Sequence, residues 1–229
     1  MKITICACSS RNFIEKEKVA RLAAIAQRSG IEVEVVSDLC ELCEDKAEVI
    51  REIAQTTIVA CHPRAVKSLL AFVCEDQCTS LNLRVDSVEN VLASLSVQGD
   101  APQEDISAWN EKLKAMPAKL GEDAWYPTLD KDLCAECGKC LEFCPFGVYE
   151  MVEDRIRVVH PHNCKNNCPA CARTCPASAI IFPKYDRSPI NGGEEKQENA
   201  IKLDTKELYG LALREKLAAR RTSFKLMKD

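Results

Sequence analysis

The sequence predicts an α/β domain with a small, largely parallel sheet, then a small cysteine-rich α+β domain and a C-terminal helix. Three observations predict this. Four short apolar runs alternate with helix-like segments over about the first hundred residues, the order that builds a parallel sheet with crossover helices. Eight cysteines then fall between positions 134 and 175 in two similar sets, each ending in Cys-Pro. Beyond a polar loop, "INGGEEKQEN", Tyr209, Leu213 and Leu217 make an apolar row at four-residue steps, the spacing of one helical face.

The elements of the first domain follow in order. "KITICA" is a strand that delivers Cys6 and Cys8. Residues 15–29 carry Val19, Leu22, Ala23 and Ala26 on one helical face and stop before Gly30, a residue suited to the left-handed turn that closes helices. "IEVEVV" is the second strand, with Cys40 and Cys43 just after it, and "DKAEVIREIAQ" sets Val49, Ile50 and Ile53 on one side of a helix. "TTIVAC" ends at Cys61, and "PRAVKSLLAFV" opens with Pro63, in the first turn, where a missing N–H costs nothing. "SLNLRVDS" and "VENVLASLSV" supply the last strand and helix. The result is a small sheet of Rossmann or flavodoxin type over residues 1–98.

Composition narrows the function. A chain of 229 residues, 46% of them hydrophobic, can bury one sizeable core and a small one. An aromatic content of 5% and a formal charge of −4 oppose a nucleic-acid binder, which presents a basic face with stacking rings. No apolar run reaches the length of a membrane span. The apolar part of "MKITICACSS" is too short for a signal peptide, so a cytoplasmic location is expected. Fifteen cysteines are then not expected to be disulfides, because the thiol pools keep them reduced. Metal binding is the better explanation.

The strongest metal motif is "CAECGKCLEFCP", which places Cys134, Cys137, Cys140 and Cys144 before Pro145; Cys164, Cys168, Cys171 and Cys175 follow, before Pro176. Zinc also uses C-x2-C pairs, but it takes four local thiolates and needs neither the third thiol nor the Cys-Pro ending. Residues 128–190 resemble the two-cluster bacterial ferredoxins, whose C-x2-C-x2-C-x3-C-P spacing the first set reproduces. The resemblance implies a pseudo-twofold ferredoxin-like domain with two 4Fe-4S clusters. One is implied on Cys134, Cys137, Cys140 and Cys175, the other on Cys164, Cys168, Cys171 and Cys144. "GVYEMVEDRIRVV" predicts a hairpin turning at Glu153-Asp154, and "AIIF" a matching short strand. The second set departs from the pattern: "CKNNC" has three residues between its first two thiols. The enlarged loop is expected to move N–H donors near the sulfurs and shift the potential. Phe143, Phe146, Ile156, Val158, Ile180 and Phe182 are expected to keep water from the clusters. His160 and His162 read as polar loop residues, since the thiolate count is already complete.

The first domain places Cys6, Cys8, Cys40, Cys43 and Cys61 at the carboxyl edge of its sheet, where open α/β folds bind ligands. A third iron-sulfur cluster on four of these five is the expectation, against buried structural thiols. Cys74 and Cys78 lie about ten residues further on, beyond the third helix, roughly 15 Å away by helical rise, and are expected at the opposite end as structural thiols. His62 either tunes that site by hydrogen bonding or caps a helix. "ICACSSRN", "DLCELC", "IVACHPR" and "LNLR" together resemble the N-terminal domain of the heterodisulfide reductase A subunit family. That resemblance covers about ninety residues and implies an iron-sulfur cluster there. No cysteine follows "LNLR", and that family's flavin-binding portion is absent.

None of the eight glycines forms G-x-G-x-x-G, so no dinucleotide fingerprint is present and neither flavin nor nicotinamide is expected. In the connector, residues 99–127, Ile106, Trp109, Leu113 and Met116 mark an amphipathic helix expected to pack the two domains together. From Ile201 to the end, eight Lys/Arg stand against four Asp/Glu. Within residues 191–229 this basic helix, from Leu203 onward, is expected to dock another subunit. The function read from these features is a relay that passes single electrons between redox partner subunits of flavin, hydrogenase, formate or thiol-redox type in an anaerobic hetero-oligomer. The alternatives are a reductase acting at the N-terminal cluster and an iron-sulfur redox-sensing regulator.

Overall fold

Alternating β-branched residues build the first sheet, in which β1 (Lys2–Cys6), β2 (Glu32–Val36), β3 (Thr57–Ala60) and β4 (Thr79–Asn82) pair in parallel in the order β2-β1-β3-β4. The computed structural model describes residues 1–45, 48–74, 78–117 and 123–194. Successive side chains of a strand point to opposite faces, and the two faces are covered by different helices. Ile3, Ile5 and Val59 pack with α1 (Lys16–Arg28), α5 (Val88–Ser94) and α6 (Gln103–Ala115). Cys6, Ile58 and Ala60 pack with α2 (Leu39–Glu44), α3 (Val49–Ala54) and α4 (Pro63–Val73). Because β1 and β3 are neighbours but not consecutive, the strand order reverses between them. That reversal opens a crevice outside their carboxyl ends, the ligand position of doubly wound folds.

The predicted stops and starts are met. Gly30, at φ 79°, closes α1: its N–H donates to Gln27 O at 3.1 Å and the Ile31 N–H to Ala26 O at 3.1 Å, the paired bonds of a Schellman ending. Pro63 occupies the first turn of α4, with His62 as its cap residue. The one unforeseen helix is α2. Asp38 caps it, accepting from the amides of Cys40 at 3.0 Å and Glu41 at 3.3 Å. The Asp-x-x-Glu spacing of Asp38 and Glu41 was the available signal.

The connector helix α6 packs on α1 and does not join the domains. Leu113 is buried in the core beneath α1, Ile106, Trp109 and Met116 pack around it, and Trp109 Nε1 donates to Gln27 Oε1 at 3.0 Å. The physical reason is that the apolar residues of α1 and Leu113 of α6 are buried together in one core cluster.

In the second domain β6 (Tyr149–Val152) and β7 (Arg155–Val158) form the predicted hairpin. Glu153 and Asp154 turn it with φ of 50° and 58°, the left-handed pair of a tight hairpin turn. The strand expected in "AIIF", β8 (Ile180–Ile181), pairs antiparallel with β5 (Thr128–Leu129). Two short helices, α7 (Lys139–Phe143) and α8 (Ala170–Thr174), complete the domain.

The two domains meet along α4. Ser68 and Thr128 hydroxyls lie 2.7 Å apart, Arg64 Nε donates to Asp130 at 2.6 Å, and Lys67 pairs with Asp132 at 2.6 Å. Residues 183–193 then turn back over the carboxyl edge of the first sheet as a strap. Gly192 makes its closest approach: at φ +86°, a Cβ there would stand 2.8 Å from Ala65 Cβ and backbone N. Gly192→Ala is therefore expected to destabilise the protein by about 1–3 kcal/mol, read as a lower anaerobic unfolding midpoint. The predicted C-terminal helix lies outside the described residues. Among the described residues no helix is long and apolar enough to cross a membrane.

Candidate functional site

The second domain's eight cysteines fall into two spatial groups that do not follow the chain. Cys140 lies in α7 and Cys144 caps its end; Cys171 lies in α8 and Cys175 caps its end. Each helix therefore carries its fourth thiol away from its own loop. Cys134, Cys137, Cys140 and Cys175 line one small pocket together with Leu129, Ile156, Pro176 and Ile180. Burial pushes the Cys140 thiol up to about 12, and the sulfurs of Cys134 and Cys175 add to it. In the second group burial raises the Cys164 thiol to about 12, with Cys171, Cys144 and Cys168 beside it. Cys171, also about 12 through burial, has Cys144 as its neighbour.

These surroundings suit iron-sulfur clusters. Hydrogen-bond donors reach the sulfurs: Ala179 N donates to Cys175 Sγ at 3.3 Å, and the buried Tyr149 hydroxyl to Cys171 Sγ at 3.1 Å. Such donors stabilise thiolates and tune potential. Among the described residues no three Cys, His or acidic side chains converge on one metal-ion position. A cubane spreads its thiolates over four irons and needs no such convergence. Ile156, Val158, Ile180 and Phe182 are buried around this site and Phe143 is packed against it. Phe146 is 42% exposed and shields nothing, because it follows the Cys-Pro ending on the outer side of the turn.

The enlarged "CKNNC" loop has a contact that the sequence did not suggest. Asn167, at φ 60°, accepts from Arg11 Nη2 at 2.8 Å, and Asn166 accepts from the same nitrogen at 3.4 Å. Arg11 belongs to the loop after β1, and it also pairs with Asp123 and lies over the Trp125 ring. The extra residue thus docks the second cysteine group on the first domain. His162 approaches Glu44 at 3.4 Å and His160 approaches Glu150 at 3.4 Å; both histidines are exposed.

At the crevice of the first sheet, four of the five expected thiols come together. Burial drives Cys6 well up, with Cys8 and Cys61 adding; Cys40 is raised likewise, with Cys61 and Cys6 beside it. Cys61 is pushed up to about 12 by burial, with Cys8 next to it. Cys43 is the exception. Its burial-raised thiol has Cys74 as its neighbour, and Cys74 in turn neighbours Cys78. Three residues of helix carry Cys43 about 4.5 Å below Cys40, away from the edge and toward the end of α4. Leu39 N donates to Cys6 Sγ at 3.3 Å. Ser9, in the same loop as Cys8, is 4% exposed, and its Oγ has no hydrogen-bond partner among the described residues. His62 is buried with Nδ1 3.2 Å from Asn82 Nδ2, and burial lowers it to about 4, so it is neutral.

Sequence reading missed the charged residues around this quartet. Lys184, 4% exposed, reaches from the strap to Asp38 at 2.9 Å and Asp123 at 3.0 Å. Arg84 donates from Nη1 to Pro183 O at 3.3 Å and from Nη2 to Tyr185 O at 3.0 Å. No local pattern marks either residue, since their partners are 61 or more positions away.

Two groups of cysteines, most of them partly buried, with hydrogen-bond donors at Cys171 and Cys175 on a small α+β frame define an iron-sulfur protein of ferredoxin type, whose work is electron transfer. The family profile of the 4Fe-4S dicluster domain matches residues 126–176, and through this domain the chain belongs to the dicluster ferredoxins. An uncharacterized ferredoxin of Methanocaldococcus jannaschii is 44% identical over 66 residues, covering 28% of this chain and 45% of the relative. Ferredoxin-3 of Nostoc sp. is 33% identical over 93 residues, covering 31% of this chain and 90% of the relative. Pyruvate synthase subunit PorD of Methanothermobacter marburgensis is 41% identical over 54 residues, covering 24% of this chain and 60% of the relative. This chain thus spans less than half of the Methanocaldococcus protein's length.

Proposed function

We propose that the chain is a three-centre electron relay. Cys134, Cys137, Cys140 and Cys175 hold one 4Fe-4S cluster, and Cys164, Cys168, Cys171 and Cys144 hold the other. Cys6, Cys8, Cys40 and Cys61 hold a third in a domain of heterodisulfide reductase A type. The clusters supply one-electron chemistry when bound; the protein's residues hold them, exclude water and set the surrounding charge. The observation that carries the reading is the gathering of four thiols from three separate loops at the crevice between β1 and β3, roofed by a strap from the ferredoxin domain. That roof supports a relay over a reductase with an open catalytic edge, because Lys184 and Asn191 of the strap are buried.

Cys137 is the exposed member of the ferredoxin thiols. An open groove beside Cys134, lined by Lys131, Arg155 and Arg157, suits an acidic redox partner approaching the first cluster. Likeness to a pyruvate synthase subunit supports assembly with a larger oxidoreductase in an anaerobic cytoplasm. Iron and acid-labile sulfide analysis of anaerobically purified protein is expected to give roughly twelve irons per chain. Cys61→Ser is expected to remove about four of them. A count near eight in the parent protein would overturn the third centre. Anaerobic capture from the host, followed by identification of co-purifying redox subunits, tests the partner.

A further inference from the structure

We propose that Arg84 is the counter-cation of the N-terminal cysteine quartet and holds the potential of its cluster up. This rests on the reading of a third cluster above.

Buried cations normally find carboxylates. Lys184 does so twice, through Asp38 and Asp123, and Asp123 also takes Arg11. Arg84 does not: among the described residues it has no carboxylate within ion-pair distance. Its guanidinium donates to the backbone carbonyls of Pro183, Tyr185 and Asp186 at 3.3, 3.0 and 3.4 Å, and it lies 4.0 Å over the Phe13 ring. These partners engage its N–H groups, and among the described residues none of them is a carboxylate at ion-pair distance. The charge faces Cys61 and Cys8 first, then the Asp186 carboxylate and Cys40, so three of its four anionic or ionisable neighbours belong to the quartet. The Asp186 carboxylate, the nearest acidic candidate on the strap, is turned to Arg187 at 3.7 Å.

With the thiols protonated, this partly buried cation has only the Asp186 carboxylate, beyond ion-pair distance, as an anionic neighbour. Four thiolates outweigh the positive charge of an iron-sulfur core, so a cluster on the quartet is anionic and supplies the missing partner. Adding an electron increases that negative charge, and a fixed cation favours the reduced form. The strap's carbonyls hold the guanidinium in place, so the ferredoxin domain takes part in setting the potential of a centre in the other domain. Lys184 is matched by its two carboxylates, whereas Arg84 has none at ion-pair distance among the described residues.

Arg84→Gln keeps an amide donor for the strap carbonyls and removes the charge; Arg84→Lys keeps the charge. Anaerobic redox titrations of the intact chain, followed by electron paramagnetic resonance, are read alongside iron content. The expected result is a downward potential shift of the N-terminal signal in R84Q, parent-like values in R84K, and unmoved ferredoxin signals in both. With roughly twelve irons present, an unmoved N-terminal signal in R84Q overturns the counter-cation while leaving the third cluster standing. An equal shift in R84K also overturns it, by assigning the effect to packing. A parent iron count near eight overturns the cluster reading itself, and this inference with it.

Discussion

Lys184→Met is expected to destabilise the protein by about 3–5 kcal/mol, the cost of leaving a buried charge without its partner. Asp38 is 1% exposed, and its second oxygen accepts from Lys184 and from the Ser10 hydroxyl while its first caps α2. Loss of the ammonium therefore loosens three things together: the strap, the start of α2, and the position of Cys40 one residue into that helix. Anaerobic denaturant titration measures it. The double variant Asp38→Asn, Lys184→Met is expected to recover part of the loss, because asparagine still caps α2 and no charge is stranded. Equal loss in both variants would show that Lys184 acts by packing alone. Acid works on the same network. Burial opposes ionisation of Asp123, but Lys184 and Arg11 outweigh it and hold the carboxyl below its ordinary value of 3.8. This contribution is complete above that value and is lost as pH falls below it through the lower folded value.

Cys175→Ser is expected to abolish the cluster of the first motif, although Cys175 lies at the end of the second. The four thiols that line the first pocket include Cys175 and exclude Cys144. The C137S and C175S variants should each lose about four irons, and the double variant no more than either. The pair C164S and C175S should lose about eight, one cluster from each group. If ligation instead followed the chain locally, C164S with C175S would lose only one cluster and C137S with C175S would lose both. Iron analysis and paramagnetic resonance distinguish the two patterns.

Much of this was legible in one dimension because the signals are local. Gly30 ends α1 by the left-handed turn that its lack of Cβ permits, and Pro63 opens α4 where no N–H is needed. Short apolar runs between helix-like segments marked the four strands. Local patterns failed where an element's partner is distant. The face of α6 was plain from Ile106, Trp109 and Leu113, but not that α1 would receive it. Cys43 shared a loop with Cys40 in the sequence, yet one helical turn separates it from the quartet and turns it toward Cys74. Phe146 had the right chemistry for a shield and the wrong side of a turn.

The sequence by itself determined the kinds of ligand and where the chain could bend. Cysteine spacing and the Cys-Pro endings are covalent facts, and so are the strand and helix periods. Tertiary structure alone decided which thiols meet and which charges surround them. The crevice gathers thiols from segments as far apart as Cys6 and Cys61. Lys184 reaches Asp38, and Arg84 finds the carbonyls that hold it, only after residues 183–193 fold back over the first sheet. Proximity and electrostatic field fall off with distance through space, not along the chain, so these features arise only when the two domains are packed together.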